Sequence, residues 1–209
     1  MGNGSKKWDD IYRKRQYANQ ENDCWLEKHT IFLEQSKDIP VLDLGCGNGH
    51  NSIYLIDKGY QVIACDFSKE AIKVIKERIP EANTWLFDLR NGLPFKNHSA
   101  KVIIADLSLH YFNWKKTKEI RDEIFRVLDK NGFLLCRVNS TNDIHYGAGI
   151  GDMIEENYYR LGNCYKRFFD EKQLKELFKN TSILFLKETK ILRFTKGKMA
   201  WEVVVQNNL

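Results

Sequence analysis

Between residues 40 and 138 the chain alternates short, nearly continuous apolar runs with longer amphipathic stretches. Residues 40–44, 61–66, 101–106 and 133–138 are apolar almost throughout, which predicts parallel strands covered on both faces. Residues 84–88 form a shorter run of the same kind. The segments between them repeat apolar positions at helical spacing. They predict a helix over 48–58, closed by Gly59, and one over 68–79, opened by Ser68 and stopped before Pro80. A third is predicted over 119–128, followed by a turn at 129–132. Asp170 caps a last predicted helix to about Lys179. Residues 182–192 and 199–205 read as two more strands. Their link, Thr195-Lys-Gly-Lys198, is too short for a crossover, so they must pair antiparallel. The pattern predicts an α/β fold: a doubly wound, Rossmann-like seven-stranded sheet with a C-terminal antiparallel hairpin.

Two stretches stand outside this alternation. Residues 1–38 read as a helical cap. Its part from Trp8 to Asn19 is polar but carries Trp8, Tyr12 and Tyr17, the first two on one helical face. Asp23 then caps a predicted helix to about Lys37, with Trp25, Leu26, Phe32 and Leu33 as its apolar positions. Residues 139–167 contain glycines at 147, 149 and 151, a polar helix candidate over 152–160, and no clear core face. They read as an insertion over the sheet edge that carries the strand carboxyl ends.

At 209 residues with 43% hydrophobic content, one domain spanning 1–209 is expected. No apolar run approaches the ~20 residues of a membrane span. The N-terminal residues lack an apolar stretch, and Lys6 stands where a myristoylation signal needs Ser or Thr. A cytoplasmic protein without membrane contact is expected. Cysteines 24, 46, 65, 136 and 164 form no C-x-x-C pair, so buried thiols rather than metal ligands are expected. The formal charge of +5 permits an acidic partner without requiring one.

The most informative segment is Val41-Leu-Asp-Leu-Gly-Cys-Gly-Asn-Gly49. An apolar strand runs into three alternate glycines, and Asn48 opens the next helix. Missing Cβ atoms let the backbone turn sharply and a ligand come close. The helix behind supplies free N–H groups and the positive end of its dipole. A dinucleotide fingerprint would be G-x-G-x-x-G, but His50 stands at its third glycine. With Asp43 two residues before Gly45, the segment closely resembles motif I of the class I methyltransferases, which bind S-adenosylmethionine. Aspartates also end the other strands, at Asp66, Asp88 and Asp106, all on the ligand-binding edge of such a sheet.

The resemblance extends from about Trp8 to Val205 and groups the chain with small-molecule methyltransferases of the thiopurine and tellurite-resistance type. It implies roles position by position. Gly45 and Gly47 line the methionine part of the cofactor, with Asn48 beside them. Asp43 sits beneath the turn and orders it. Asp66 accepts from both ribose hydroxyls. Phe67 packs on the adenine face, or else is a helix staple. Asp88 accepts from the adenine amino group, and the Leu89 amide meets a ring nitrogen. Asp106 and Leu107 contact the methionine end, unless Asp106 caps the next helix. Tyr12 belongs to the aromatic N-terminal segment that folds over the cofactor in those families.

Methyl transfer from a sulfonium needs alignment more than covalent help, and a base only where the nucleophile must shed a proton early. His110 and Tyr111 follow the fourth strand and are the candidates; His110 as a hydrogen-bonded loop support is the alternative. The run Asp106-Leu-Ser-Leu-His-Tyr111 lacks the proline of the N-P-P-Y type found in amino-group methyltransferases of nucleic acids. Basic clusters are short and dispersed. A small-molecule acceptor and a monomer or homodimer are therefore expected. The alternatives are a methyltransferase acting on RNA or protein, an NAD(P)-dependent oxidoreductase, and a non-catalytic nucleoside-binding module.

Overall fold

The computed structural model describes residues 3–14 and 23–208. Five strands form in the predicted order: β1 (Val41–Leu44), β2 (Val62–Asp66), β3 (Asn83–Leu86), β4 (Ala100–Asp106) and β5 (Leu128–Asn139). β1 pairs parallel with both β2 and β4, β2 with β3, and β4 with β5. A separate three-stranded sheet of β6 (Asp152–Glu155), β7 (Tyr158–Leu161) and β8 (Cys164–Arg167) follows. The predicted hairpin is β9 (Ser182–Ile191) and β10 (Lys198–Gln206), with β10 antiparallel to β5 and β9 outermost. The main sheet thus runs β3-β2-β1-β4-β5-β10-β9. Strand order reverses between β1 and β4, the position where a doubly wound sheet opens a crevice for ligand.

The central strands are apolar on alternate residues to both sides because both sides are covered. Val102 and Ile104 join a cluster with Trp25, Leu26, Leu33 and Leu55. Ile103 and Ala105 join another with Ile120, Ile124, Phe125 and Leu174. The first cluster is roofed by residues 25–36 and α3 (His50–Asp57), the second by α5 (Trp114–Val127) and α6 (Glu171–Leu177). Between these lies α4 (Lys69–Arg78), capped as predicted by Ser68, whose Oγ accepts from Ala71 N–H at 3.2 Å. Asp170 likewise caps α6, accepting from Gln173 N–H at 2.7 Å. α5 begins five residues earlier than predicted, because Asn113 caps it by accepting from Lys116 N–H.

Two expectations fail. The Asp23-capped helix to Lys37 is instead a chain of short turns: a 3-10 turn at Trp25–His29, one α-turn α2 (Thr30–Leu33) and a second 3-10 turn at Glu34–Ser36. Asp23 caps nothing, since Arg137 Nη1 donates to its carboxylate at 2.7 Å, and Cys24 turns left-handed at φ 44°. The helix candidate over 152–160 is β6 and β7. The two-residue links Glu156-Asn157 and Gly162-Asn163, left-handed at Asn157 and Gly162, are hairpin turns. Nor does this insertion lack a core. Arg167 is buried, its guanidinium lying over the rings of Trp114, Tyr158 and Phe169 at 5.2–5.9 Å. It donates to the carbonyls of Phe112 and Glu156 and to the Glu155 carboxylate.

Arg167 is therefore the rivet of the β6–β8 flap. Substituting Arg167→Ala removes charge-assisted bonds from a buried site, at a cost on the order of 3 kcal/mol. Amide exchange over 152–167 should accelerate while β1, β4 and β5 stay protected. Unchanged exchange in the flap would show that something else holds it.

Candidate active site

The turn after β1 is held by its neighbour strand. Gly45 and Cys46 N–H both donate to the Cys65 carbonyl, at 2.8 and 3.0 Å. Gly47 N–H donates to Asp66 Oδ2 at 3.0 Å, and Ser68 N–H to Asp66 Oδ1 at 2.9 Å. Gly45 and Gly47 have φ of +70° and +56°. A Cβ on Gly45 would stand 2.5 Å from Ser108 Cβ, so the turn is pressed against the loop after β4. A Cβ on Gly47 would stand 2.7 Å from the Tyr12 hydroxyl. Leu107 in that facing loop is also left-handed, φ 53°, a strained choice for a branched residue.

The three aspartates nearest the turn occupy different electrostatic environments. Asp106 and Arg137 are direct neighbours in the β4–β5 ladder. Arg137 donates from Nε and Nη2 to the two Asp106 oxygens, both at 2.7 Å, and Arg193 Nη2 adds a bond at 3.3 Å. Burial opposes the charge on Asp106, but the arginines outweigh it and hold the carboxyl well below the usual range. Asp43 is fully buried beneath the turn and accepts from Ser52 Oγ at 2.6 Å. It orders the start of α3 rather than the turn itself. Burial pushes it up to about 7, against the Ser52 bond and with help from the Asp106 and Asp66 charges. Burial likewise raises Asp66 to about 6, although the Ser68, Gly47 and Phe67 amides favour its ionised form.

A cavity of about 690 Å3 opens along this edge. Gly45, Gly47, Asn48, Asp66 and Phe67 line it, followed by Asp88 and Leu89. On its other side stand Tyr12, Asp106, Leu107, His110 and Tyr111. Every predicted site residue except Asp43 therefore faces one space. Asn48 does not open α3, which starts at His50 with Gly49 as cap; its Nδ2 pairs with His50 Nε2 at 3.0 Å. The Asp88 carboxylate is engaged by Arg90, whose Nε donates to both oxygens at 2.9–3.0 Å. Asp106 caps no helix. Phe67 faces the cavity at the N-terminal side of the Ser68 cap.

The N-terminal helix α1 (Asn3–Arg13) crosses the mouth of the cavity. Asp9 accepts from Ser68 Oγ at 2.6 Å and so fixes α1 to the start of α4. Trp8 stacks on Tyr12 with ring centroids 5.9 Å apart and meets Tyr111 edge-on at 5.4 Å. Lys7 touches Cys164 of β8, so α1 and the flap meet over the cavity. Tyr17 lies outside the described residues.

Sequence reasoning missed the cationic wall. Arg193, Lys198 and Lys166 line the cavity together with Tyr146 and Phe194. Arg193 and Lys198 flank the β9–β10 link, where they read as ordinary surface charges. Only the sequence position of Lys166, opposite a Gly-Asn turn, could have hinted at a strand facing inward. His110 is buried, its Nδ1 without a hydrogen-bond partner; burial first, then Lys198 and Lys166, keep its ring far below the usual histidine range and neutral. Burial raises the Tyr111 phenol, so it stays protonated at neutral pH.

Residues 41–132 match the sequence profile of a family described as a methyltransferase domain. A tRNA N(3)-methylcytidine methyltransferase of Drosophila melanogaster is 25% identical over 195 residues, 81% of this chain and 58% of that protein. A demethylmenaquinone methyltransferase of Paenarthrobacter aurescens (strain TC1) is 35% identical over 95 residues, 46% and 36% of the two chains. Among solved structures, the Burkholderia thailandensis 1,6-didemethyltoxoflavin-N1-methyltransferase superposes with a TM-score of 0.74 at 15% identity, over 98% of this chain and 87% of that one. That structure carries 1,6-didemethyltoxoflavin and S-adenosylhomocysteine. The chain spans about half the length of the curated relatives it matches.

The raised Asp43 carries a pH signature. Its folded-state value near 7 exceeds the unfolded value of about 3.9, so its contribution to stability is complete below about pH 4 and lost as pH rises through about 7. Asp43→Asn keeps an acceptor for Ser52 but cannot titrate. In urea unfolding the variant should gain on the wild type between pH 4.5 and pH 8. An identical difference at both pH values would show that Asp43 is not raised.

Proposed function

We propose, from the premise that residues 41–132 form a class I methyltransferase domain dependent on S-adenosylmethionine, that the chain methylates a small-molecule acceptor. The observation that carries the acceptor class is the roof. The Lys7–Cys164 contact joins α1 to the flap, the Trp8–Tyr111 contact joins it to the turn after β4, and the cavity lies beneath them. Its volume lies within the ~300–1,000 Å3 usual for small-ligand sites. A polymer would have to displace both lids. The Drosophila relative favours the second reading, an RNA acceptor.

The residues present suit this cofactor. The two cradle glycines have no room for side chains. Each Asp66 oxygen already accepts one backbone N–H and keeps a lone pair for a ribose hydroxyl. Phe67, Asp88 and Leu89 line the cavity beyond Asp66 and would receive the adenine. Arg193, whose Nε makes no hydrogen bond, reaches the turn-side end and suits the methionine carboxylate. When bound, the cofactor supplies an electrophilic methyl on a sulfonium with a neutral leaving group. The chain's part is to align the acceptor against it and keep water out. Neutral His110, on the cavity wall, would take the proton that an N–H or O–H acceptor loses.

Total transfer RNA and a pool of cell metabolites, each incubated with the protein and methyl-labelled cofactor, discriminate the two readings. Label is expected in the metabolite fraction alone; label in RNA would reverse the assignment.

Two binding outcomes follow from the cradle and the lid. Asp66→Ala should raise the cofactor Kd by at least about tenfold, since each bond to an ionised acceptor contributes about 1.5–3 kcal/mol. Wild-type affinity should also fall below pH 6 as Asp66 protonates and surrenders an acceptor site. An unchanged Kd in calorimetric titration would reduce Asp66 to a turn residue. Deleting residues 1–18 should leave the melting temperature nearly unchanged, because α1 touches the core only through its rim, yet remove most cofactor affinity. Normal binding by the truncated chain, or failure to fold, would defeat the lid assignment.

A further inference from the structure

The acceptor half of the cavity carries unbalanced positive charge. Lys198 is buried and its Nζ donates to Asp143 Oδ2 at 2.6 Å; Asp143 Oδ1 accepts from Met199 N–H at 3.1 Å. Asp143 thus gives one oxygen to the lysine and the other to the amide. Lys166, half-buried on β8, spends one N–H on the Tyr146 carbonyl at 3.2 Å. Among the described residues no carboxylate lies within ion-pair distance of it. The carboxylates that line the cavity, Asp66, Asp88 and Asp106, all sit at the ends of β2–β4, on the cofactor half.

The walls around Lys166 are aromatic. Tyr146 and Phe194 meet edge-on at 5.5 Å, and Lys198 Nζ lies 5.1 Å from the Tyr146 ring centre. Tyr111 also lines the cavity, tilted against His110 with ring centroids 4.3 Å apart. The His110 ring lines the same space, with its Nδ1 turned into the protein and without a partner. Two half-sheathed ammonium groups with one carboxylate between them need one more anion, and flat walls beside them suit a ring.

We infer that the acceptor is a small aromatic oxyanion, its charged group held by Lys166 and its ring between Tyr111 and the Tyr146–Phe194 pair, with the nucleophile beside the His110 ring. The inference rests on the methyltransferase reading and names its substrate class. In the transfer the acceptor heteroatom bonds to the methyl carbon as the carbon–sulfur bond breaks. Sulfur keeps the electron pair, and the acceptor proton passes to His110.

The test uses the full chain saturated with S-adenosylhomocysteine and titrated calorimetrically with benzoate, phenyl phosphate, benzamide and total transfer RNA. Benzoate or phenyl phosphate should bind at least about tenfold more tightly than the neutral, isosteric benzamide. The stronger of the two identifies the oxyanion as carboxylate or phosphate. Lys166→Gln should erase that preference, and Lys166→Arg should restore it, with S-adenosylhomocysteine affinity equal in all three proteins. Equal binding of the anions and benzamide, or a preference that survives Lys166→Gln, overturns the inference while leaving the cofactor reading intact. Lys166-dependent binding of transfer RNA alone overturns it in favour of a polynucleotide. Failure of S-adenosylhomocysteine itself to bind would instead bring down the reading beneath it.

Discussion

The buried pair between Asp106 and Arg137 is the tie on which the ligand edge depends. The two residues face each other across the β4–β5 ladder, and their bidentate bond fixes the crevice where strand order reverses. Their remaining capacity recruits distant parts of the chain. Arg137 takes Asp23 and lies 4.6 Å over the Trp25 ring; Asp106 takes Asn51 of α3 and Arg193 beyond β9. The N-terminal segment, α3 and the C-terminal hairpin are thereby brought to one point. Such a cluster is weak support for stability, because desolvation cancels much of the attraction. Its effect is geometric. Losing one partner would strand a charge, so the arrangement admits few alternatives.

That tie also sorts the carboxylates. Asp106 is ionised because two guanidinium groups touch it. Asp43, on the neighbouring strand, has only a hydroxyl and feels the Asp106 charge as repulsion, so it titrates near neutrality. Asp66 lies between these extremes, held by the Gly47 and Ser68 amides against full burial. Four strand-end aspartates look alike in the sequence, yet one anchors arginines, one props α3, one ties the glycine turn to the start of α4, and Asp88 shares its charge with Arg90. Their chemistry follows from partners that reach them from elsewhere in the chain.

This explains what was legible in advance. The parallel strands, the caps at Ser68 and Asp170 and the glycine turn depend on neighbours in sequence, and periodicity reports them. The segment after Asp23 failed because local capping preference lost to Arg137, 114 residues away in the chain. The flap failed for another reason. Gly162-Asn163 is a hairpin signal, but the polar composition around it masked the alternation, and the buried member of the flap is an arginine. Lys166, Lys198 and Arg193 could not be told from surface charges, since their burial comes from α1 and the flap closing over them.

Costly features are concentrated at this edge. Asp23 Oδ1, Asp43 Oδ1, Ser108 Oγ, His110 Nδ1 and Arg193 Nε are buried without hydrogen bonds, and Leu107 holds a left-handed backbone. The clusters beneath the sheet, built on Ile103, Ile104 and Leu135, contain nothing comparable. A core assembled only for stability would satisfy or remove such groups, because each costs roughly 1–3 kcal/mol. Arg121 Nε on α5 and Asn139 Oδ1 at the end of β5 aside, local rules hold across the sheet and break beside one cavity, where a polar ligand would meet open acceptors and unspent N–H groups. Cofactor and acceptor together would supply those partners. The ordered roof of α1 and flap is then a consequence of the same constraint, because a bound ligand's hydrogen bonds gain strength only where water is kept out.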